Sequence, residues 1–308
     1  MPRQPRKKTQ RHGHLFIIGG AEDREEDKLV LSRFVDLAGG RKASIAVLTA
    51  ASNYHDEVWK VYNDAFRDLG VTQCAPVVID NREQANDEVL AKAIYDADAV
   101  FMTGGDQVKL LSLIGGTRLD HAMHCALRER GTCIAGTSAG ASAMSEHMLY
   151  ESGPELQPIK GSVRIAAGLG FMRRVVIDQH FSERKRIGRL LSVVAQNPYL
   201  LGAGIDENTA LIVEPGLGLE VIGEGAVTIL DGREMLTSFL DEDRHQQLEL
   251  TNVKLHLMPA GARYYFDAKG QGPQTRTSDG RMVPIALYDV VAAVASSSDA
   301  PLAAPLAA

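Results

Sequence analysis

The sequence predicts an α/β fold: a mostly parallel sheet covered by helices on both faces, with antiparallel strands added in the C-terminal part. Short apolar runs alternate with segments of helical periodicity through about the first 150 residues. The runs are continuously apolar rather than alternating with polar residues, as strands buried on both faces are. After about residue 150 the texture changes to short β-like runs separated by turns.

Taken in order, Leu15-Phe16-Ile17-Ile18 reads as the first strand, stopped by Gly19-Gly20. Leu29, Val30, Phe34 and Val35 place a helix within Asp23 to Leu37. Ile45 to Leu48 is the second strand and Glu57 to Leu69 the second helix; Val77-Val78-Ile79 is the third strand and Asp87 to Tyr95 the third helix. Ala99 to Met102 is the fourth strand and ends in Thr103-Gly104-Gly105-Asp106-Gln107. Helical spacing resumes through Leu110 to Leu113 and again near Leu119 to Leu127. A fifth strand follows in Thr132-Cys133-Ile134-Ala135. Beyond it, Val175 to Asp178 is a strand, and Ser182 is placed to N-cap a helix whose Ile187, Leu190, Leu191 and Val194 form one apolar face. Gly202 to Ile205, Ala210 to Val213, Leu219 to Ile222, Val227 to Leu230 and Leu248 to Phe266 read as antiparallel strands extending the sheet. This is the arrangement of flavodoxin-like and class I glutamine amidotransferase-like folds. No internal repeat is visible. A single catalytic domain is expected over residues 13–270, after a basic arm at 1–12 that is expected to be disordered. Residues 271–308 form a C-terminal extension, and its Pro-containing end from Ser296 to Ala308 is expected to be disordered.

A chain of 308 residues, 45% hydrophobic and 23% charged, is long enough for a large core. Its net charge of −6 argues against general nucleic-acid binding. Cys74, Cys125 and Cys133 are too few and too scattered for a disulfide framework, and Cys133 sits inside an apolar strand where packing is its expected job. No apolar run is long enough to span a bilayer, and the basic N-terminus lacks an apolar stretch for a secretory signal. A reducing cytoplasmic location fits best.

The chemistry gathers at Gly136-Thr137-Ser138-Ala139-Gly140. An apolar strand, a turn with glycine on either side and an Ala-rich helix have the pattern of a nucleophile elbow, with the Ser138 hydroxyl at its tip. The bland alternative is a glycine-rich turn of any α/β domain. Ala139, at the helix start, offers a free N–H to developing negative charge. Gly105 suits the second oxyanion donor, because glycine lets backbone approach a substrate closely. Of the nine histidines, His180 follows a strand at the expected crevice end, in Asp178-Gln179-His180-Phe181. It is the leading base beside an elbow serine; His121 and His124 read as helix-surface residues. The acid that holds its tautomer is Asp206 or Glu207, after the strand ending at Ile205, and only one of these neighbours can face His180. The order Ser, His, acid differs from the Ser, acid, His order of α/β-hydrolases. Arg184, Arg186 and Arg189 lie just beyond, with Arg186 and Arg189 at i, i+3 on one helix face. They form either a solvated basic face or a clamp for substrate carboxylates.

Gly19-Gly20-Ala21-Glu22-Asp23, Gly104-Gly105-Asp106-Gln107, the Ser138 elbow, Asp178-Gln179-His180-Phe181 with the three arginines, and Gly204-Ile205-Asp206-Glu207-Asn208-Thr209-Ala210 together resemble the cyanophycinase family of peptidase E-like serine peptidases. The resemblance covers roughly residues 13 to 266. Gly-Gly-Asp-Gln stands where peptidase E has Gly-Gly-Gly-Asn, which favours the cyanophycinase side. The family implies a triad of Ser138, His180 and Glu207, settling the acid. It implies a substrate pocket at Gln107, Asp178, Gln179, Arg184, Arg186 and Arg189. The implied substrate is cyanophycin, a poly-aspartate whose side chains each carry an arginine, and the implied product is the β-Asp-Arg dipeptide. Arginines would clamp its carboxylates, and Asp178 or Glu22 would pair with its guanidinium groups. No metal or cofactor is implied; nucleic acid and membrane are not expected partners, and a homodimer is left open. The competing readings are a dipeptidase acting on free Asp-X dipeptides, a binding protein without activity, and a nucleotide-binding flavodoxin-like module. The last lacks a Gly-x-Gly-x-x-Gly fingerprint.

Overall fold

The fold is built on central strands that are buried on both faces. Residues 13–153, 156–241, 243, 245–265 and 285–296 are described by a computed structural model. In chain order the first half runs β1 (Leu15–Ile18), α1 (Leu29–Ala38), β2 (Ser44–Leu48), α2 (His55–Asp68), β3 (Gln73–Val77), α3 (Arg82–Ala85), α4 (Glu88–Asp96), β4 (Ala99–Met102), α5 (Gln107–Ile114), α6 (Arg118–Cys125), β5 (Cys133–Thr137) and α7 (Ala139–Ala143). The second half runs β6 (His147–Ser152), β7 (Val163–Ala167), β8 (Val175–Asp178), α8 (Ile187–Gln196), β9 (Leu201–Ile205), β10 (Thr209–Glu214), β11 (Gly218–Gly223), β12 (Ala226–Asp231), β13 (Leu236–Thr237), β14 (Leu250–Thr251), β15 (Lys254–Pro259), β16 (Arg263–Tyr265) and α9 (Ile285–Ser296).

The main sheet has eight strands in the order β16-β11-β10-β1-β5-β4-β2-β3. The pairs from β1 to β3 are parallel; β10, β11 and β16 add antiparallel pairs beside β1. Successive strand residues point to opposite faces, and along the central strands β1, β2, β4 and β5 both faces are dry. Phe16, Ile18, Val47, Phe101 and Ala135 join the core beneath α1 and α2. Leu15, Ile17, Leu48, Met102 and Ile134 join the core on the other face, with residues of α5, α6, α7 and β8. This explains the continuous apolar runs. The register pairs Ile18 with Thr137 and Met102 with Gly136, so Gly19, Ser138 and Thr103 leave the sheet at one edge.

The structure departs from the sequence expectations in several places. Helix α1 starts at Leu29, not near Asp23. The Asp23 carboxylate accepts the N–H groups of Glu25, Glu26 and Lys28 at 2.9, 3.0 and 2.7 Å, and Lys28 is left-handed at φ 50°. These backbone hydrogen bonds lower the Asp23 carboxyl to about 2. Strand β3 ends at Val77, where Val77 to Ile79 was expected to pair. It is an edge strand carrying Pro76, mostly exposed, so apolar content does not mark its paired segment. Ser182 does not cap α8, which begins at Ile187; its hydroxyl donates to Asp206 Oδ1 at 2.6 Å instead. The late strands do not all extend one sheet. β15, β12, β9 and β8 form a separate four-stranded sheet, with β8 and β9 parallel. His124 is not a surface residue: its ring stacks on Phe171 with centroids 4.2 Å apart, and its Nε2 lies 2.8 Å from the Leu169 carbonyl oxygen.

Within the predicted C-terminal extension, α9 buries Val290, Val291 and Val294 in the main core. The arm at 1–12 and the end at 297–308 lie outside the described residues. Among the described residues no helix is long and apolar enough to cross a membrane. Glu220 on β11 is 2% exposed and accepts from Arg33 Nη2 at 2.7 Å and Arg263 Nε at 2.9 Å, joining α1, β11 and β16. Both arginines keep contact with water. Glu220→Ala is therefore expected to cost about 1–3 kcal/mol rather than the full penalty of a stranded buried charge. A thermal melt of the variant checks this, with an expected fall of a few degrees.

Candidate active site

The elbow is forced by two glycines. A Cβ on Gly136 would lie 2.8 Å from Ala141 N, and one on Gly140 would lie 3.0 Å from the Met102 carbonyl carbon. Their absence lets α7 turn back onto β5 and β4. Ser138 then adopts φ 51° and ψ −111°, held by its own N–H to Ile18 O at 3.1 Å and by Ser142 N–H to its carbonyl at 3.0 Å. Its side chain emerges at the carboxyl edge of the sheet.

The second sheet supplies the partners. His180 follows β8 and lies 8% exposed, with a left-handed φ of 47°. Its Nε2 lies 2.9 Å from Ser138 Oγ, and its Nδ1 lies 2.5 Å from Glu207 Oε1. A hydroxyl donating to Nε2 and a carboxylate accepting from Nδ1–H require one neutral tautomer. Such a chain lets an imidazole take the serine proton while the carboxylate stabilises the imidazolium. Asp206 faces away. It accepts from Ser182 N, Ser182 Oγ and Ala226 N at 3.1, 2.6 and 3.0 Å, bracing the turn that presents Glu207. Glu183 Oε2 accepts the Glu207 N–H at 3.2 Å.

Gly19 and Gly20 lock the histidine in place, a role the sequence reading did not assign. Gly19 O accepts the His180 N–H at 2.8 Å, and Gly20 O accepts the Asn208 N–H at 2.9 Å. Gly20 has φ 101°, and a Cβ there would lie 2.5 Å from His180 Nε2. Glu22 is buried just beyond. It accepts from the Tyr62 hydroxyl and from Thr137 Oγ1, both at 2.6 Å, so its two oxygens are taken by hydroxyls. Burial and the Glu22 charge push the Tyr62 hydroxyl well above its ordinary pKa.

The remaining expected site residues divide. Gly105 follows β4, with its backbone against the Ala51 carbonyl, and Ala139 opens α7 directly after Ser138. Gln107 is half-buried in the first turn of α5, with Nε2 donating to Leu149 O at 3.4 Å. Asp178 is fully buried and bound by Arg189, whose Nε donates to Oδ2 at 2.7 Å and whose Nη2 donates to Oδ1. Arg189 also donates to Ser152 Oγ at 3.1 Å, a partner the sequence reading missed. Arg186 Nη1 reaches Gln179 Oε1 at 2.5 Å, the Gln179 carbonyl, and Asp178 Oδ1 at 3.5 Å. Burial pulls its pKa down to about 10 despite the opposing pull of Asp178, which leaves it charged at neutral pH. Asp178 is thus the counter-ion of two arginines rather than an open acceptor, and Arg184 alone of the three arginines is exposed. Among the described residues no group of three His, Cys, Asp or Glu is placed to hold a metal. A cleft of about 690 Å³, between α4 and α6, includes none of these residues.

The profile of peptidase family S51 matches residues 15–218, which include every residue of this constellation. The chain belongs to peptidase family S51. It is a serine peptidase. It is 36% identical over 263 residues to the cyanophycinases of Synechococcus elongatus and Thermosynechococcus vestitus, covering 84% of this chain and 82% of each relative. The cyanophycinase of Geminocystis herdmanii is 36% identical over 251 residues, 81% of this chain and 92% of that one. The crystal structure of a peptidase from an acI-B1 Actinobacterium has the same fold, with a TM-score of 0.61 at 22% identity over 83% of this chain and 98% of that one. For this S51 peptidase, Gly20→Ala is expected to displace the His180 ring and lower peptidase turnover by about a hundredfold or more, while the melt stays cooperative. Turnover against temperature for the variant and the wild type checks it.

Proposed function

We propose that this chain is a serine-type exopeptidase that hydrolyses cyanophycin to β-Asp-Arg dipeptides through an acyl-enzyme. The observation that carries the reading is the unbroken chain from Ser138 Oγ through His180 to Glu207. The substrate comes from the relatives, which are named cyanophycinases and are similar over most of the chain. A cytoplasmic setting belongs to the same proposal, supported by three free cysteines, Cys74, Cys125 and Cys133.

His180 Nε2 takes the Ser138 proton as Oγ bonds to the main-chain carbonyl carbon of a β-Asp-Arg unit. The carbonyl π electrons move to oxygen, and the N–H groups of Ala139 and Gly105 hold the oxyanion. The oxyanion collapses, the C–N bond breaks, and His180 gives its proton to the leaving amine. Water then adds to the ester through the same base, releasing the dipeptide and restoring Ser138. Glu207 stays ionised and holds the imidazolium. Gln107, Gln179, Arg184 and Arg186 line the side of the site that takes the unit to be released. Arg189 and Asp178 support Arg186 from below.

Incubating the protein with cyanophycin should give β-Asp-Arg by mass, while α-linked Asp-X dipeptides should remain intact; cleavage of the dipeptides alone would give the peptidase E-like activity instead. Ser138→Ala should cut turnover by several orders of magnitude with the melt unchanged. Glu207→Gln should slow the reaction by about 10³–10⁴-fold, as loss of the tautomer-holding carboxylate does. Asp206→Asn should lower the melting temperature more than it lowers kcat, since Asp206 braces the turn. A more severe kcat loss in Asp206→Asn than in Glu207→Gln would reverse the two roles.

A further inference from the structure

The candidate nucleophile stands between two different faces of the main sheet. α5, which carries Gln107, and β8, which ends in Asp178, pack on one of them, and Arg186 and Arg189 reach Asp178 from the start of α8. The other face, beneath α1 and α2, carries polar groups that the mechanism leaves unused. A cleft of about 320 Å³ opens there, lined by Arg24, Glu57, Val58, Val61, Tyr62 and Gly104. Gly104 joins it to the reacting atoms, because a Cβ on Gly104 would lie 3.8 Å from Ser138 Oγ. The floor is rigid: the Tyr62 hydroxyl is tied through Glu22 to Thr137, the residue before the nucleophile. The Arg24 guanidinium carbon lies 5.7 Å from the Tyr62 ring centroid, and Glu57 is exposed in the first turn of α2.

We propose that this cleft holds a second β-Asp-Arg unit of the polymer, across the scissile bond from the unit held beside Gln107 and Arg186. The inference rests on the cyanophycin reading above. Each unit of that polymer presents one free carboxylate and one guanidinium, both on its arginine. Arg24 offers a planar fork to the carboxylate, and Glu57 offers a carboxylate to the guanidinium. Val58, Val61 and the Tyr62 ring pack against the methylenes between them. The volume falls at the lower end of the range for small-ligand pockets, which suits one unit. Glu22 does not serve here, because it is 2% exposed and both oxygens already accept hydroxyl protons.

Two substrates separate this subsite from a purely structural role. One is a single β-Asp-Arg unit carrying p-nitroanilide on its main-chain carboxyl; the other is a three-unit oligomer. Arg24→Ala should lower the ratio of kcat/KM for oligomer over anilide by about tenfold, and Glu57→Gln should lower it in the same direction by a factor of a few. An unchanged ratio in both variants, whether both substrates slow equally or neither slows, overturns the subsite and leaves Arg24 bracing Tyr62. Glu57 is a surface residue, so its variant keeps the test decisive if Arg24→Ala melts early. Wild-type protein that cleaves neither the oligomer nor cyanophycin refutes the cyanophycin reading and the subsite with it. Wild-type cleavage with an unchanged ratio refutes the subsite alone.

Discussion

The Gly19–Gly20 segment is the joint on which the site depends. Ser138 belongs to the eight-stranded sheet, whereas His180 follows a strand of the four-stranded one. Their 2.9 Å approach exists only if the two sheets dock in one register. Gly19 N–H donates to Thr209 O at 2.9 Å, its carbonyl takes the His180 N–H, and Gly20 O takes the Asn208 N–H. The Asn208 side chain in turn accepts the Asp23 N–H at 2.9 Å. Three backbone hydrogen bonds and one to the Asn208 side chain thus tie the end of β1 to the turns that carry His180 and Glu207. Neither glycine has room for a side chain, because a Cβ on Gly19 would lie 2.6 Å from Ile205 O and one on Gly20 would enter the imidazole. Backbone docking, added to the apolar core the two sheets share, sets the distance between Ser138 and His180.

Much of this was legible in the sequence, for identifiable reasons. Strands buried on both faces announce themselves as apolar runs, and each run that ended in glycine or in a polar cluster marked the carboxyl edge of a sheet. Ser138, His180 and Glu207 each follow such a run, so their convergence could be expected from topology alone. The choice between Asp206 and Glu207 was not available from the residues; it depends on which of two opposed directions faces His180. The separate four-stranded sheet was also hidden. Short apolar strands look alike whichever neighbour they pair with, and β8 and β9 pair in parallel inside a region that reads as antiparallel. Ser182 has the chemistry of an N-cap, but the Asp206 carboxylate competes for its hydroxyl across 24 residues of sequence.

The arginines illustrate a different limit. Spacing placed Arg186 and Arg189 together, but nothing local said whether they face substrate or protein. The structure joins both to Asp178, which is fully buried. An isolated carboxylate there would be strongly disfavoured, so the bidentate Arg189 contact is a condition of burying Asp178 at all. Arg186 is held more loosely, through a 3.5 Å contact to Asp178 and closer ones to Gln179. Its depressed pKa records incomplete compensation for burial. A guanidinium that is desolvated, still charged and only partly satisfied is poised to gain from a further anionic partner. Arg189, by contrast, has little left to offer.

Strain gathers around the same joint. Ser138, His180, Asn208 and Ala21 all have positive φ without being glycine. Such conformations cost of order 1–3 kcal/mol each and persist only where the surroundings over-determine them. For Ser138 the restraint is visible on both sides. Its N–H is fixed to β1, and the preceding Thr137 hydroxyl is fixed to a buried Glu22 that also holds Tyr62 of α2. Ser138 is therefore clamped from the α2 side, and His180 from the Gly19–Gly20 side. Relaxing either clamp would let Ser138 fall back toward an ordinary helical or extended conformation, taking its hydroxyl away from the imidazole. A large core beneath both faces stabilises the fold well enough to hold a serine in this conformation.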